Sequence, residues 1–397
     1  MSLFQHKPNL FPSNWGLLPY VILAIILGIV CGMFFPVSLS RVFITFNGLF
    51  GQFLGFIIPL IILGLIAPGI AELGQDAGKM LVMTVVLAYG FTLFAGFLAY
   101  GTGVVVFPYI LKPLSSLTAF NAPQELAPYF TIEMDPMLDV VTALIFAFIL
   151  GLGISFTGGQ TLRRVMFDFR SIIYKVISRV IIPLLPVYIF CIFLNMTITG
   201  QVVMILEAFA KLIVLLFVLT IIMLLIQFLI AGTFAKKNPL KMIRTMLPAY
   251  FTALGTSSSA ATIPVTYKQV QELGVREGVA GFTVPLCASI HMSGSAIKIT
   301  ACAMAIILMT GGQLSFYQFV GFIFMLAVSI VAGPGVPGGA IMASLGILQK
   351  MLGFTEPMLG LMIALYIAMD SFGTACNVTG DGAISVIVDK LYPEKKY

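Results

Sequence analysis

Asp370, Thr374, Asn377 and Asp381 recur at intervals of four, three and four residues inside an apolar run from about Met358 to Val388. A run of that length can cross a bilayer. On a helix turning about 100° per residue, the four fall within one narrow stripe. Carboxylates are costly in hydrocarbon, so the stripe must face protein or enclosed water. Asn and Thr alone would suit an ordinary helix seam, but two acids on one face ask for cations or ammonium groups. Three further stretches have the composition to meet them. Gly255-Thr256-Ser257-Ser258-Ser259-Ala260-Ala261-Thr262-Ile263-Pro264 breaks a helix and frees backbone N–H groups. Ser289-Ile290-His291-Met292-Ser293-Gly294-Ser295 interrupts an apolar run over about 279–310 that also carries Lys298. Gly333-Pro334-Gly335-Val336-Pro337-Gly338-Gly339 centres a third stretch, 316–347.

The elements that position these residues follow from composition. The chain has 397 residues, 60% of them hydrophobic and only 9% charged, with a mean hydropathy of +1.09. That excludes a soluble domain, and long unbroken apolar runs exclude a β-barrel, so the expectation is an all-α polytopic membrane protein. The net charge of +6 sits at span ends and marks topology, not nucleic-acid binding. Five scattered cysteines form no metal or redox spacing and read as packing residues. Apolar runs appear near 16–36, 44–68, 80–111, 137–157, 171–196 and 202–235. Breaks are expected at Glu72–Lys79, Lys112–Met137, Gly158–Arg170 and Lys236–Arg244. The stretch from Asn121 to Pro128, with Glu133 and Asp135 beyond, reads as the longest extramembrane loop. The first run lacks a cleavage pattern and reads as a retained span.

A cytoplasmic N-terminus places Lys79, Arg163, Arg164, Arg170, Lys236, Lys237, Lys241 and Arg244 inside, leaving chiefly Arg41, Lys112 and Lys350 outside. This fits the positive-inside rule, and Lys390, Lys395 and Lys396 put the C-terminus inside as well. The parity then requires the two broken stretches to enter and leave on one side each. Met246–Thr266 is too short for an ordinary span, so it reads as an inward-opening re-entrant hairpin, with the Gly/Pro stretch as its outward counterpart. Broken hairpin, interrupted helix, broken hairpin, interrupted helix is the order of an inverted-repeat secondary transporter.

At these elements the sequence resembles the glutamate/neutral-amino-acid transporter family, the dicarboxylate/amino acid:cation symporters. Ser257-Ser-Ser-Ala-Ala-Thr-Ile-Pro264 is similar to its serine-rich first hairpin, and Gly335-Val336-Pro337-Gly338 to its second hairpin tip. His291-Met-Ser-Gly-Ser295 stands where the family has N-M-D-G-T. Asp370-x-x-Gly-Thr-x-x-Asn377-Val-x-Gly-Asp381 resembles D-x-x-R-T-x-x-N-V-x-G-D. The resemblance implies about eight transmembrane helices plus two re-entrant hairpins, working as an elevator within a homotrimer. Residues 1–240 would be mostly scaffold, with early and sixth spans joining the transport domain. Residues 241–397 would be the transport core: hairpin 1 at about 243–270, an interrupted helix at about 279–310, hairpin 2 at about 316–349 and a second interrupted helix at about 355–390.

The same resemblance assigns roles. Asp370 would hold a substrate α-ammonium; Asn377 would hold the α-carboxylate with backbone N–H groups around Ser258 and Ser259. Thr374 and Ser295 would contact the side-chain end, beside Gly373 and Val336. Asp381 and Asn377, with carbonyls near Ser289, would bind one sodium ion; Met292 and carbonyls from Ser329 to Gly333 would bind another. Three departures matter. Acidic-substrate members carry arginine where this chain has Gly373, and neither Ser257 nor Ser371 supplies a cation. That favours a neutral amino acid, and Gly373→Arg is expected to shift preference towards aspartate or glutamate. Ser293 replaces the motif's aspartate and His291 its asparagine, so the inner cation site loses its charge. Lys298, one to two turns on, either fills the missing ion's role or snorkels outward; His291 makes proton coupling conceivable.

The function expected is therefore cation-coupled symport of small, neutral amino acids in a cell inner membrane. The alternatives are an acidic amino-acid or dicarboxylate symporter with proton coupling, and an anion-conducting channel. Sodium ions or protons are the coupling ions, and no other cofactor and no nucleic-acid partner is expected. An enzyme is not: Asp370 and Asp381 lie roughly 16 Å apart along a helix and cannot share a proton.

Overall fold

The computed structural model describes residues 17–72, 79–111, 126–200, 202–331 and 338–392, and the described residues contain helices and no strands. The first half folds as α1 (Leu17–Phe34), α2 (Val37–Glu72), α3 (Lys79–Ile110), α4 (Val140–Thr157), α5 (Gln160–Val176), α6 (Ile182–Ile198) and α7 (Val202–Ala235). The second half gives α8 (Pro239–Thr256), α9 (Ser259–Glu272), α10 (Glu277–Ile290), α11 (Ser293–Met309), α12 (Phe316–Val331), α13 (Gly339–Leu352), α14 (Glu356–Ala368) and α15 (Asp370–Leu391). Five stretches are long and apolar enough to cross a membrane: Val37–Pro68, Lys79–Ile110, Gln160–Ile198, Ile205–Ala235 and Glu277–Met309. α14 and α15 make a sixth, bent by 60° at their junction. α1 and α4 are shorter apolar helices. Residues such as Ile22, Ile26, Val86, Ile149 and Val214 leave apolar side chains on the outside, the arrangement that suits acyl chains instead of water.

One expected break is not a break. Between Gly158 and Arg170 only Gly158, with φ +65°, and Gly159 stand outside helix. The polar residues of Gln160–Val176 lie on one face, because Met166, Phe169 and Ile173 recur at helical spacing and the last two pack towards Gly64 of α2. The helix then runs on through a π turn, Ile177–Ile181, into α6. A stretch that reads as a polar connection is an amphipathic helix lying on α2. The loop before α4 is also tied down. Arg41 Nε donates to Ala127 O at 2.9 Å, and Tyr129 N donates to Thr45 Oγ1 at 2.8 Å.

α2 packs against α4, α5 and α6, and α1 against α6; α3 and α7 instead pack onto α11 and α15. Those last two helices are the centre of the molecule. Every residue from Ser293 to Ile307 and from Gly373 to Asp389 is buried. The most apolar stretch of Glu277–Met309 is 94% buried, against 33–61% for the other four, so protein and not lipid surrounds it. Its polar residues can therefore be partnered by neighbouring helices, which is what makes them affordable at that depth.

The two helices approach too closely for a side chain at Gly294. A β-carbon there would lie 2.9 Å from Cys376 Cβ and 2.9 Å from Gly373 Cα, which is backbone and cannot rotate away. The contact is closed by Gly294 N donating to Asn377 Oδ1 at 2.7 Å. Gly294→Ala should therefore cost about 1–3 kcal/mol by overpacking. Thermal unfolding followed by size-exclusion chromatography in detergent should show an earlier transition, and an unchanged transition would count against this packing.

Candidate functional site

The serine-rich segment breaks its helix at one residue. Ser257 takes the left-handed conformation at φ +50° and ends α8, and Ser258 then caps α9 by accepting from Ala261 N at 3.3 Å. α8 and α9 pack against each other, as do α12 and α13 across the second broken stretch. Gly338, at φ +75°, starts α13 in a conformation that glycine adopts without strain. The two hairpins meet at neighbouring residues of α15: Ser257 Oγ lies 2.7 Å from Ser371 Oγ, and Gly338 N donates to Asp370 Oδ2 at 2.9 Å. Asp370 thus sits where the starts of α13 and α15 converge. Val336, and the carbonyls expected at 332–333, fall outside the described residues.

The other carboxylate oxygen of Asp370 is taken by the chain's own cation. Lys298 Nζ donates to Asp370 Oδ1 at 2.9 Å and stands 3.8 Å above the centroid of the Tyr366 ring. Only 1% of Lys298 is exposed, so it does not snorkel outward. It faces the core, and its carboxylate partner is Asp370. The reason it reaches there is Gly373: a β-carbon at that position would lie 2.5 Å from Lys298 Nζ, so the lysine occupies the space a side chain at 373 would need. This corrects the argument that Gly373 leaves the pocket without a positive charge. The cation comes from α11 in place of α15, and an arginine at 373 would have to displace the end of Lys298 to add a second one.

A second polar cluster lies one to three turns along α15. His291 Nδ1 is 2.9 Å from Asp381 Oδ1 and 3.1 Å from Asn377 O, and its Nε2 is 2.7 Å from Ser293 Oγ. Gln227 of α7 donates from Nε2 to Ser293 Oγ at 3.2 Å, while its Oε1 is buried with no partner among the described residues. Asn377 Nδ2 points to Ser295 Oγ at 3.3 Å and Met292 Sδ at 3.7 Å, and Ser295 Oγ lies 3.1 Å from Tyr366 Oη. These contacts do not fit a sodium ion held by Asp381 and Asn377. One carboxylate oxygen of Asp381 meets an imidazole, and Asn377 Oδ1 already accepts from Gly294 N; a hard cation needs several free oxygens. Ser289 stands on the exposed side of α10, just before the break at His291. Ser329 Oγ of α12 is buried without a partner among the described residues. Thr374 and Ser259 are buried on the elements that carry the site.

Three participants were missed. Tyr366 stands one turn before Asp370, and Gln227 is an isolated amide in the apolar run 202–235; an amide or phenol inside such a run was the available signal. Thr92 of α3, whose Oγ1 accepts from Met292 N at 3.2 Å, gave none.

The sequence profile of the family described as "Sodium:dicarboxylate symporter family" matches residues 17–391. Among characterised proteins, the chain is 29% identical over 271 residues to Excitatory amino acid transporter 2 of Homo sapiens, covering 66% of this chain and 46% of that one. It is 29% identical over 269 residues to an Excitatory amino acid transporter of Caenorhabditis elegans, covering 65% and 52%. It is 25% identical over 404 residues to Serine/threonine transporter SstT of Streptococcus thermophilus, covering 96% and 98%. The chain thus spans about half the length of the excitatory transporters it matches.

The packing at Gly373 is testable. Gly373→Ala should lower thermal stability, by about 1–3 kcal/mol. In a Lys298→Ala background the same change should cost far less. A double-mutant cycle on detergent-solubilised protein measures the coupling, and additivity would mean the two side chains do not share that space.

Proposed function

The chain belongs to the sodium:dicarboxylate symporter family, and on that premise we propose that it is a secondary active, cation-coupled symporter of small amino acids. The observation that carries the reading is the meeting of both hairpins at Asp370 and Ser371 on a buried, broken helix. A solute held there is touched by both repeats at once, which is what alternating access requires. The relatives' names include both serine/threonine and excitatory amino acid transporters, which supports an amino acid without choosing its side chain.

Asp370 receives the α-ammonium. Asn377 and the start of α9 around Ser258 and Ser259 receive the α-carboxylate, since helix N-termini favour anions. Thr374 and Ser295 line the rest. α1, α2, α4, α5 and α6 form the scaffold of a homotrimer, and α3 with α7 to α15 forms the body that slides. Counting α1 and α4 with the six longer spans gives the eight crossings of the reading, and both termini lie in the cytoplasm. Coupling draws on fewer sodium ions than in members with the full N-M-D-G-T motif, because Ser293 stands where that motif provides an aspartate and the imidazole of His291 meets Asp381; the outer site, with Met292 and Ser329, remains for one ion.

Two measurements test this. Asp370→Asn should abolish uptake of α-amino acids into proteoliposomes while the protein still elutes as the same oligomer in detergent; normal uptake would refute the ammonium assignment. Wild-type protein should show counterflow of labelled against unlabelled amino acid, with separate sodium and proton gradients giving the stoichiometry. Flux without trans-stimulation would indicate a channel instead.

A further inference from the structure

We propose that Lys298 is the specificity-determining cation of the pocket: it yields Asp370 to the ammonium of an incoming amino acid and takes that amino acid's second carboxylate. The inference rests on the amino-acid reading above and names the substrate class, an anionic amino acid with carboxylates at both ends.

The argument is one of where charges end up. Asp370 has one oxygen on Lys298 Nζ and the other on Gly338 N, so the backbone contact holds the carboxylate in place when the lysine leaves it. Lys298 remains over the Tyr366 ring, which lowers the cost of its moving without removing the charge. A buried ammonium that loses its carboxylate is heavily penalised, so the solute that displaces it must offer a replacement anion. The α-carboxylate is already committed to Asn377 and the start of α9, further along the helix. An amino acid with a neutral side chain therefore strands Lys298. A dicarboxylate lacking an amino group leaves the Lys298–Asp370 pair intact and brings its second carboxylate against Asp370, a like charge in a poorly screened place. Only a solute with one ammonium and two carboxylates leaves every charge paired. Access agrees with this order of events: Asp370 and Thr374 keep 6% and 7% exposure, while Lys298 lies behind them at 1%.

The test is a thermal-shift titration of the purified, full-length protein with aspartate, glutamate, serine, alanine and succinate, each with and without sodium. Aspartate or glutamate should half-saturate the wild-type shift at concentrations at least about 100-fold below serine, alanine or succinate, the factor expected for one buried charge pair. Lys298→Met should lose about 100-fold in acidic amino-acid response with serine and alanine unchanged or tighter. Lys298→Arg should keep the acidic preference within about 10-fold. Lys298→Met combined with Asp370→Asn removes both buried charges, should elute as folded protein, and should respond to none of the five. Tightest response to serine or alanine in the wild type, or to succinate, overturns the role of Lys298. So does retained acidic preference in Lys298→Met. If no amino acid shifts the wild type at all, the amino-acid reading fails along with it.

Discussion

A carboxylate buried among helices needs partners for its oxygens, and the core of this protein is arranged around two such partnerships. Asp370 is paired with Lys298 and Asp381 faces His291, both across the seam between α11 and α15. Either acid alone would carry a desolvation cost that local packing does not offset. The seam is therefore sealed by neighbouring helices on every side, with Gly294 allowing the two backbones to come together. The same pairing means that these groups act as a set: altering one changes what the others can hold.

The fold was largely legible in the amino-acid order because its strongest signals are local. Ser257 to Ser259, His291 to Ser293 and Met369 each end one helix and start another, and residue types that cap or break helices sit at the first two. The error at Gly158–Arg170 has the opposite cause. Charged residues on one face of a helix look like a loop when read along the chain, and only the 3.6-residue recurrence of Met166, Phe169 and Ile173 separates the two. Tertiary fastening, such as Arg41 on Ala127, left no local trace.

The candidate site was legible by residue and not by partnership. Asp370, Asn377 and Asp381 stand on one helical stripe, yet their partners Lys298, Gly294, Ser295, His291 and Gly338 come from α11, the break before it and the start of α13, far off in sequence. Gly373 was read as an absence, whereas it is the condition that lets Lys298 cross from the next helix. A motif compared position by position records a lost arginine; the three-dimensional arrangement retains the positive charge from another address. Tyr366 and Gln227 carry a readable signal, a polar side chain in an apolar run.

The volume that a side chain at 373 would fill is the volume that the end of Lys298 fills, so the two positions work as one unit. A change at either is felt at Asp370, which holds the lysine on one oxygen and the start of α13 on the other. Substituting one of the pair therefore alters how α11, α13 and α15 are tied together, and not only the charge that the pocket carries.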